Sequence, residues 1–171
     1  MSKTKTAKET AAITSQFVLP NDTNALGNLA GGKLLHWMDI TAAISAHRLC
    51  KRVVVTASVN NVSFNRPIKL GSIVTLEAQV SRSFSTAMEV FIDVWVEDAV
   101  TGEHIKCNEA IYTFVAVDQN GSPLPVPELV PETEKEKQRF DSALRRRQLS
   151  LILAGKMKPE QATELKALFV K

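Results

Sequence analysis

The spacing of hydrophobic residues changes once along the chain, from a helical pattern to alternation. From Leu34 to Leu49, apolar residues occupy nearly every side of a helix, which is typical of a helix buried within a domain. The preceding segment, 21–32, is rich in Asn, Asp and Gly, which favour turns, and it ends in the pair Gly31-Gly32. The pattern therefore predicts a loop that leads into one long central helix.

Strand-like segments follow this helix. Four of them show alternation or β-branched residues: 53–64, 73–83, 88–97 and 105–117. Another short strand, 13–19, precedes the loop. We expect the later strands to form an antiparallel meander that curls round the helix. Its outer face should carry Phe91, Trp95 and Tyr112, and an apolar outer face favours self-association.

Both ends of the chain are more polar. Thr133 can cap a charged helix that runs from Lys135 to about Ala154, and 159–170 is expected to form a short last helix. The helical tail should dock on the domain or on a neighbouring subunit. The chain is therefore divided into a disordered lead-in (1–10), one α+β domain (11–130) and a C-terminal helical extension (131–171).

Composition narrows the class of protein. The 171 residues are 44% hydrophobic and 23% charged, as expected for one globular domain with a sizeable core. A net charge of +3 is too small to indicate nucleic-acid binding, and no apolar run is long enough to span a membrane. The N-terminus lacks the apolar segment of a secretory signal, and Cys50 and Cys107 lack metal-ligand spacing. We therefore expect a cytoplasmic protein with free thiols and no metal site.

One carboxylate, that of Asp39, lies within the apolar helix. Leu35, His36, Ala42 and Ala43 are its neighbours at helical spacing. An acid in such surroundings costs free energy unless it has a partner or a chemical role. Taken alone, Asp39 is open to a structural or a catalytic role, whereas His36 is interpreted as structural.

The loop and the helix carry a long motif: an Asn, a Gly-Asn pair, a Gly-Gly pair, and then an apolar helix with Met-Asp. It reads Asn21-Asp22-Thr23-Asn24-Ala25-Leu26-Gly27-Asn28-Leu29-Ala30-Gly31-Gly32, followed by Leu35-His36-Trp37-Met38-Asp39. This motif resembles the signature of the acyl-coenzyme A thioesterases of the hotdog superfamily, in the branch of the bacterial acyl-CoA thioesterases and the brain-type cytosolic acyl-CoA hydrolase. The segments 64–68, 89–97 and 109–118 are also similar to that family, so the resemblance covers about residues 10–130. It implies the hotdog fold, in which a curved antiparallel sheet wraps a long central helix.

The resemblance also implies an activity and an assembly. The protein is expected to hydrolyse acyl-CoA to a fatty acid and coenzyme A without a cofactor. Asp39 would act as general base or nucleophile, and Asn24 from the partner subunit would orient water or substrate. The two sites would be shared across a homodimer, and such dimers often assemble as trimers of dimers, that is, as hexamers.

The residue types are consistent with this chemistry. Gly31 and Gly32 begin the helix, where free N–H groups and the positive end of the helix dipole lie, so the Gly32 N–H can polarise a thioester carbonyl. Gly31 is a substrate-binding candidate at the same place. The candidates for contact with the coenzyme A phosphates are Arg66, Arg82, Ser83, Ser85, Thr86 and the run Arg145-Arg146-Arg147. A solvated surface is an equally open interpretation for each, and the segment 82–86 is favoured.

Two other functions remain open. One is a non-catalytic hotdog module that binds acyl-CoA. The other is an acyl-thioester hydratase or dehydratase, an enzyme class in which the fold often carries an Asp-x-x-x-x-His pair. Gly27 stands at the corresponding position after Asp22, which counts against the second alternative.

Overall fold

The computed structural model describes residues 3–60 and 62–170. It is an α+β structure in which a five-stranded antiparallel sheet packs on one long helix. The strands are β1 (Thr4–Thr6), β2 (Ala12–Phe17), β3 (Val53–Asn60), β4 (Ile73–Ser83), β5 (Ala87–Glu97), β6 (His104–Val117) and β7 (Glu128–Val130). The helices are α1 (Gly31–Cys50), α2 (Glu134–Leu153) and α3 (Thr163–Lys166), with short 3-10 turns at Lys8–Thr10, Pro20–Asp22 and Pro159–Gln161.

The core lies between α1 and the inner face of the sheet. Met38, Ala42, Ala46 and Leu49 project from α1 and are fully buried. The alternating residues of two interior strands are buried with them: Val74, Leu76, Ala78 and Val80 on β4, and Met88, Val90, Ile92 and Val94 on β5. The predicted alternation of β4 and β5 is therefore confirmed.

The strand order differs from the predicted meander. The order is β2-β4-β5-β6-β3, so only β4, β5 and β6 follow one another as a meander. β3 lies at the far edge, where Val53 pairs with Val117 and Asn60 with Ile111. Periodicity reports which residues face the core but not which strands pair, and the expectation for β3 was therefore wrong. Because β3 is an edge strand, Val53, Val55 and Val59 remain exposed.

Tyr112 corrects a second expectation, since it faces α1 rather than the outside. The pairing of β5 with β6 shifts register between Val94 and Trp95, and this irregularity leaves Cys107 without an opposite residue. A bulge of this kind changes the phase of alternation along a strand. Tyr112 is therefore 1% exposed, and its hydroxyl donates to the backbone carbonyl of Leu35 at 3.0 Å.

α2 packs on the outer face of the sheet at β4 and β5. The Arg139 guanidinium lies 3.7 Å from the centre of the Phe91 ring, which is on that face as expected. Arg139 also pairs with Asp93, and Arg146 pairs with Glu89. The helix begins as predicted, because the Thr133 hydroxyl accepts from the backbone N–H of Glu136. The C-terminal extension thus docks on the domain itself.

Part of the expected disordered lead-in is ordered. β1 pairs in parallel with β7, and Ala7 and Thr10 are buried. β1 is polar, so hydrophobic patterning does not predict it. Backbone pairing with β7 holds it in place. Residues 1 and 2 lie outside the described residues.

α1 is not buried on every side. His36, Ile40 and His47 are exposed and Asp39 is half-buried, so the predicted buried helix leaves one side open to solvent in a single chain. No helix among the described residues is long and apolar enough to cross a membrane. Cys50 and Cys107 are free thiols, and burial raises the pKa of both.

Candidate active site

The start of α1 presents backbone N–H groups. Ala30 is the N-cap, and the first N–H of α1 that bonds back to it is that of Lys33, at 3.0 Å. Within residues 3–60 and 62–170, the N–H groups of Gly31 and Gly32 have no acceptor. A Cβ built on Gly32 would meet no atom within 4 Å, and Gly32 lines a cavity beside the helix start. The helix dipole places partial positive charge there.

Asp39 lies two turns along the same helix, beside a cavity of about 680 Å³ that we call the Asp39 cavity. Its polar border consists of Gly32, His36, Asp39 and Asn60, and its apolar wall of Leu35, Val59, Val62, Phe64 and Tyr112. The Thr56 hydroxyl, on β3, donates to Asp39 Oδ1 at 2.6 Å. This bond fixes one carboxylate oxygen and leaves Oδ2 for other contacts. Sequence reasoning missed Thr56; its only signal is a hydroxyl within a run of valines.

Tyr112 supports the turn that carries Asp39. Burial, together with the negative charge of Asp39, raises the pKa of Tyr112 to about 12, so the phenol stays protonated. Its hydroxyl donates to the Leu35 carbonyl, which is also the helical acceptor of the Asp39 N–H. No pattern in the sequence identified this contact, because the bulge in β6 conceals which way Tyr112 points.

Asn24 lies in a compact loop on a different side of the helix start. Its Oδ1 accepts from the N–H groups of Leu26 at 2.9 Å and Asn28 at 3.3 Å, and Gly27 turns the chain with φ +73°. Asn24 lines a second cavity, of about 370 Å³, which we call the Asn24 cavity; Gly31, Phe64 and Arg66 also line it. Within one chain, the structure therefore does not bring Asn24 and Asp39 together, and Phe64 borders both cavities.

The predicted phosphate contacts are dispersed. Arg66 alone among them lines the Asn24 cavity. Arg82 donates to the Phe140 carbonyl at 3.1 Å and its guanidinium lies 4.0 Å from the centre of the Phe140 ring. The Ser83 hydroxyl accepts from the Leu129 N–H at 2.9 Å. Arg82 therefore holds the C-terminal extension and Ser83 holds β7, and neither side chain lines the Asp39 or the Asn24 cavity.

The remaining predicted phosphate contacts line neither cavity, and most of them interact within the chain. The carbonyls of Ser85 and Thr86 accept from backbone N–H groups of the C-terminal half of the domain. Arg146 is engaged by Glu89, and Arg147 lies 5.3 Å from the centre of the Phe84 ring. No group of three His, Cys, Asp or Glu side chains suited to a metal occurs within the described residues.

Comparison with known proteins identifies the family to which the chain belongs. The thioesterase superfamily profile matches residues 26–103. A Bacillus subtilis protein named an acyl-CoA thioester hydrolase is 42% identical over 144 residues, which cover 84% of both chains. The chain belongs to the thioesterase superfamily. The hotdog fold that was expected from the sequence is therefore confirmed.

Solved structures agree over nearly the whole chain. An apo-hexameric acyl-CoA thioesterase superposes with a TM-score of 0.85 at 36% identity, covering 90% of this chain and 98% of the other. A Staphylococcus aureus acyl-CoA hydrolase, solved with butyryl coenzyme A, coenzyme A and coenzyme A disulfide, has a TM-score of 0.80 at 34% identity, covering 96% and 99%. That enzyme was also solved with an Asp, an Asn or a Thr replaced by Ala. Those three residues have the same separations along its chain as Asp39, Asn24 and Thr56 have here.

Proposed function

We propose that this chain is an acyl-CoA thioester hydrolase that releases a fatty acid and coenzyme A. The observation that carries the proposal is the Asp39 carboxylate, which Thr56 holds beside an apolar wall in a cavity that Gly32, a residue with no acceptor for its N–H among the described residues, also lines. A thioester needs a base or nucleophile, a donor to its carbonyl oxygen and room for an acyl chain, and this cavity offers all three.

The chemistry assigns one role to each group. Asp39 takes a proton from water, which attacks the carbonyl carbon, or attacks that carbon itself; in the second case an acyl-Asp39 anhydride forms as the thiolate leaves, and water then hydrolyses it to the fatty acid. The Gly32 N–H, at the positive end of the α1 dipole, stabilises the negative charge that develops on the carbonyl oxygen. The carbon–sulfur bond then breaks, and the coenzyme A thiolate takes up a proton. Thr56 keeps the carboxylate in one orientation through its hydrogen bond to Oδ1.

Asn24 is proposed to come from a partner subunit. In one chain it faces a different cavity from Asp39, so a second copy is the source that brings the two together. The side of the molecule around Asp39 is apolar and uncovered: Ile40 is 45% exposed, Val55 46% and Val59 40%. An exposed apolar surface of this kind is typical of an interface between copies. A hexamer built from such dimers extends the same proposal, by analogy with the hexameric neighbour.

The Staphylococcus aureus enzyme gives independent support. The residues replaced by alanine in its variants match Asn24, Asp39 and Thr56 in type and in separation. Thr56 was selected here by its contact with Asp39 and not by any motif, so the two sets agree for different reasons.

The test is a thiol-release assay over acyl-CoA esters from two to eighteen carbons, about the range of common acyl chains, with Asp39→Asn and Glu97→Gln compared with wild type. Asp39→Asn keeps the shape of the side chain and removes its charge, and it is expected to abolish turnover. Glu97→Gln makes the same change at the exposed end of β5 and should leave turnover unchanged. Wild-type turnover in Asp39→Asn would overturn the proposal. Tight acyl-CoA binding without any release by wild type would indicate a binding module, and water addition to an enoyl-CoA would indicate a hydratase.

A further inference from the structure

Both cavities beside the helix start are lined by Phe64. Phe64 lies in the segment between β3 and β4 and is the one residue that borders both the Asp39 cavity and the Asn24 cavity among the residues that line them. We infer that Phe64 sets the longest acyl chain that the enzyme accepts. This inference rests on the proposed acyl-CoA hydrolysis and deepens it, because it concerns which substrates that site takes.

The position of the ring is fixed by the start of α1. A Cβ built on Gly31 would lie 3.3 Å from Phe64 Cζ and 3.5 Å from both Cε atoms. Gly31 thus provides the space in which the ring lies against the helix, and a larger residue there would press on the ring. The ring therefore lies against the start of α1, and Phe64 is 53% exposed in the single chain.

The path of the substrate follows from the chemistry of the walls. With the reacting carbonyl between Asp39 and the Gly32 N–H, the acyl chain has to avoid the polar side of the cavity at His36 and Asn60. The remaining wall is apolar, and Phe64 closes it on the side of the Asn24 cavity. An acyl chain that extends along this wall therefore ends against the ring.

Space for a longer chain exists behind the ring. The Asn24 cavity has about 370 Å³, and its walls include the apolar side chains of Leu29, Leu34 and Ile68. Replacing Phe64 with Ala would join this space to the 680 Å³ of the Asp39 cavity. A benzyl group is about as long as four methylenes of an extended chain, so the limit should move by at least about four carbons.

The experiment is the chain-length profile of kcat/KM for acyl-CoA esters of wild type, Phe64→Ala and Phe64→Trp, with Phe17→Ala as control. Phe17 is a second exposed phenylalanine, 61% exposed on β2, and lines neither cavity. Phe64→Ala should raise kcat/KM at least tenfold, relative to wild type, for esters about four carbons beyond the wild-type limit. Phe64→Trp should shorten the limit, and Phe17→Ala should reproduce the wild-type profile.

Each outcome is decisive. A profile that keeps its shape in both Phe64 variants, whether at full or uniformly reduced activity, would overturn the inference and assign Phe64 a purely structural role. If Phe64→Ala does not fold, an unshortened limit in folded Phe64→Trp overturns the inference and a shortened limit supports it. Absence of thiol release by wild type with any ester would instead refute the proposed function, so the two failures are distinguishable.

Discussion

The ion pair between Arg146 and Glu89 allows a quantitative test of how the C-terminal extension is held. Arg146 donates two hydrogen bonds to the Glu89 carboxylate, at 2.9 and 2.7 Å, and the Ser81 hydroxyl donates a third at 2.5 Å. The Glu89 side chain is only 5% exposed, and that of Arg146 is 24% exposed. Arg146→Met removes the positive partner and leaves a buried carboxylate with one neutral donor. Breaking a buried pair in this way costs about 3–5 kcal/mol, and the partly exposed Arg146 favours the lower end, about 3 kcal/mol.

That loss is large compared with the total stability of about 5–15 kcal/mol for a domain of this kind. It corresponds to a fall in melting temperature of roughly 6–12 °C for a chain of this size. The measurement is urea or thermal unfolding at fixed protein concentration, because association with other copies shifts apparent stability.

The matched control is Arg145→Met, the same change at a neighbouring residue that has no ion pair within the described residues. The double variant Glu89→Gln/Arg146→Met should recover part of the lost stability, since it leaves no unpaired buried charge. The reasoning is refuted if Arg146→Met loses no more stability than Arg145→Met, or if the double variant loses the sum of the two single changes.

Three further predictions concern single side chains. Thr56→Val removes the donor to Asp39 and should lower kcat about 10- to 100-fold with KM little changed, measured by steady-state thiol release; an unchanged kcat would contradict the role of Thr56. Tyr112→Phe removes the donor to the Leu35 carbonyl and should cost about 1 kcal/mol in urea unfolding, whereas no loss would show that the bond does not contribute. Burial raises the pKa of Asp93, but hydrogen bonds and charges from Lys106 and Arg139 outweigh it and hold that pKa below its usual range. Its contribution to stability is therefore present above about pH 4 and lost as pH falls further, so Asp93→Asn should flatten the acid limb of unfolding measured against pH.

The local elements were predictable because the sequence carries them directly. Alternation of apolar residues predicted both bounds of β4 as observed and those of β5 to within one residue. The apolar run predicted the helix α1. The capping residue Thr133 and the acidic residues after it predicted the start of α2, and in the structure Glu136 completes a capping box with Thr133.

Features that depend on contacts between distant residues could not be predicted. The edge position of β3 and the inward direction of Tyr112 depend on strand pairing and on one bulge. The arginines of α2 were interpreted as a solvated run or as phosphate contacts. Arg146 instead neutralises Glu89, which lies on the outer face of β5 and carries no sign in the sequence that a helix covers it.

The candidate site likewise has a part that the sequence predicted and a part that only the structure shows. Its motif predicted Asn24, Gly31, Gly32 and Asp39 as one constellation. The hydrogen bond that orients Asp39 comes from Thr56, seventeen residues later by number, and only the pairing of β3 beside α1 reveals it. The resemblance carried by the motif implied that Asn24 and Asp39 come from different subunits, and within one chain the two residues line different cavities.

The most direct test of the shared site is complementation between Asn24→Ala and Asp39→Ala. Each variant alone is expected to be inactive in thiol release. After mixing equal amounts and allowing subunits to exchange, a mixed dimer would hold one intact site, with Asp39 from one chain and Asn24 from the other. The proposal predicts recovery to about a quarter of wild-type activity, since half of randomly paired dimers are mixed and each has one of two sites. No recovery, with mixed dimers demonstrated by native mass spectrometry, would contradict it.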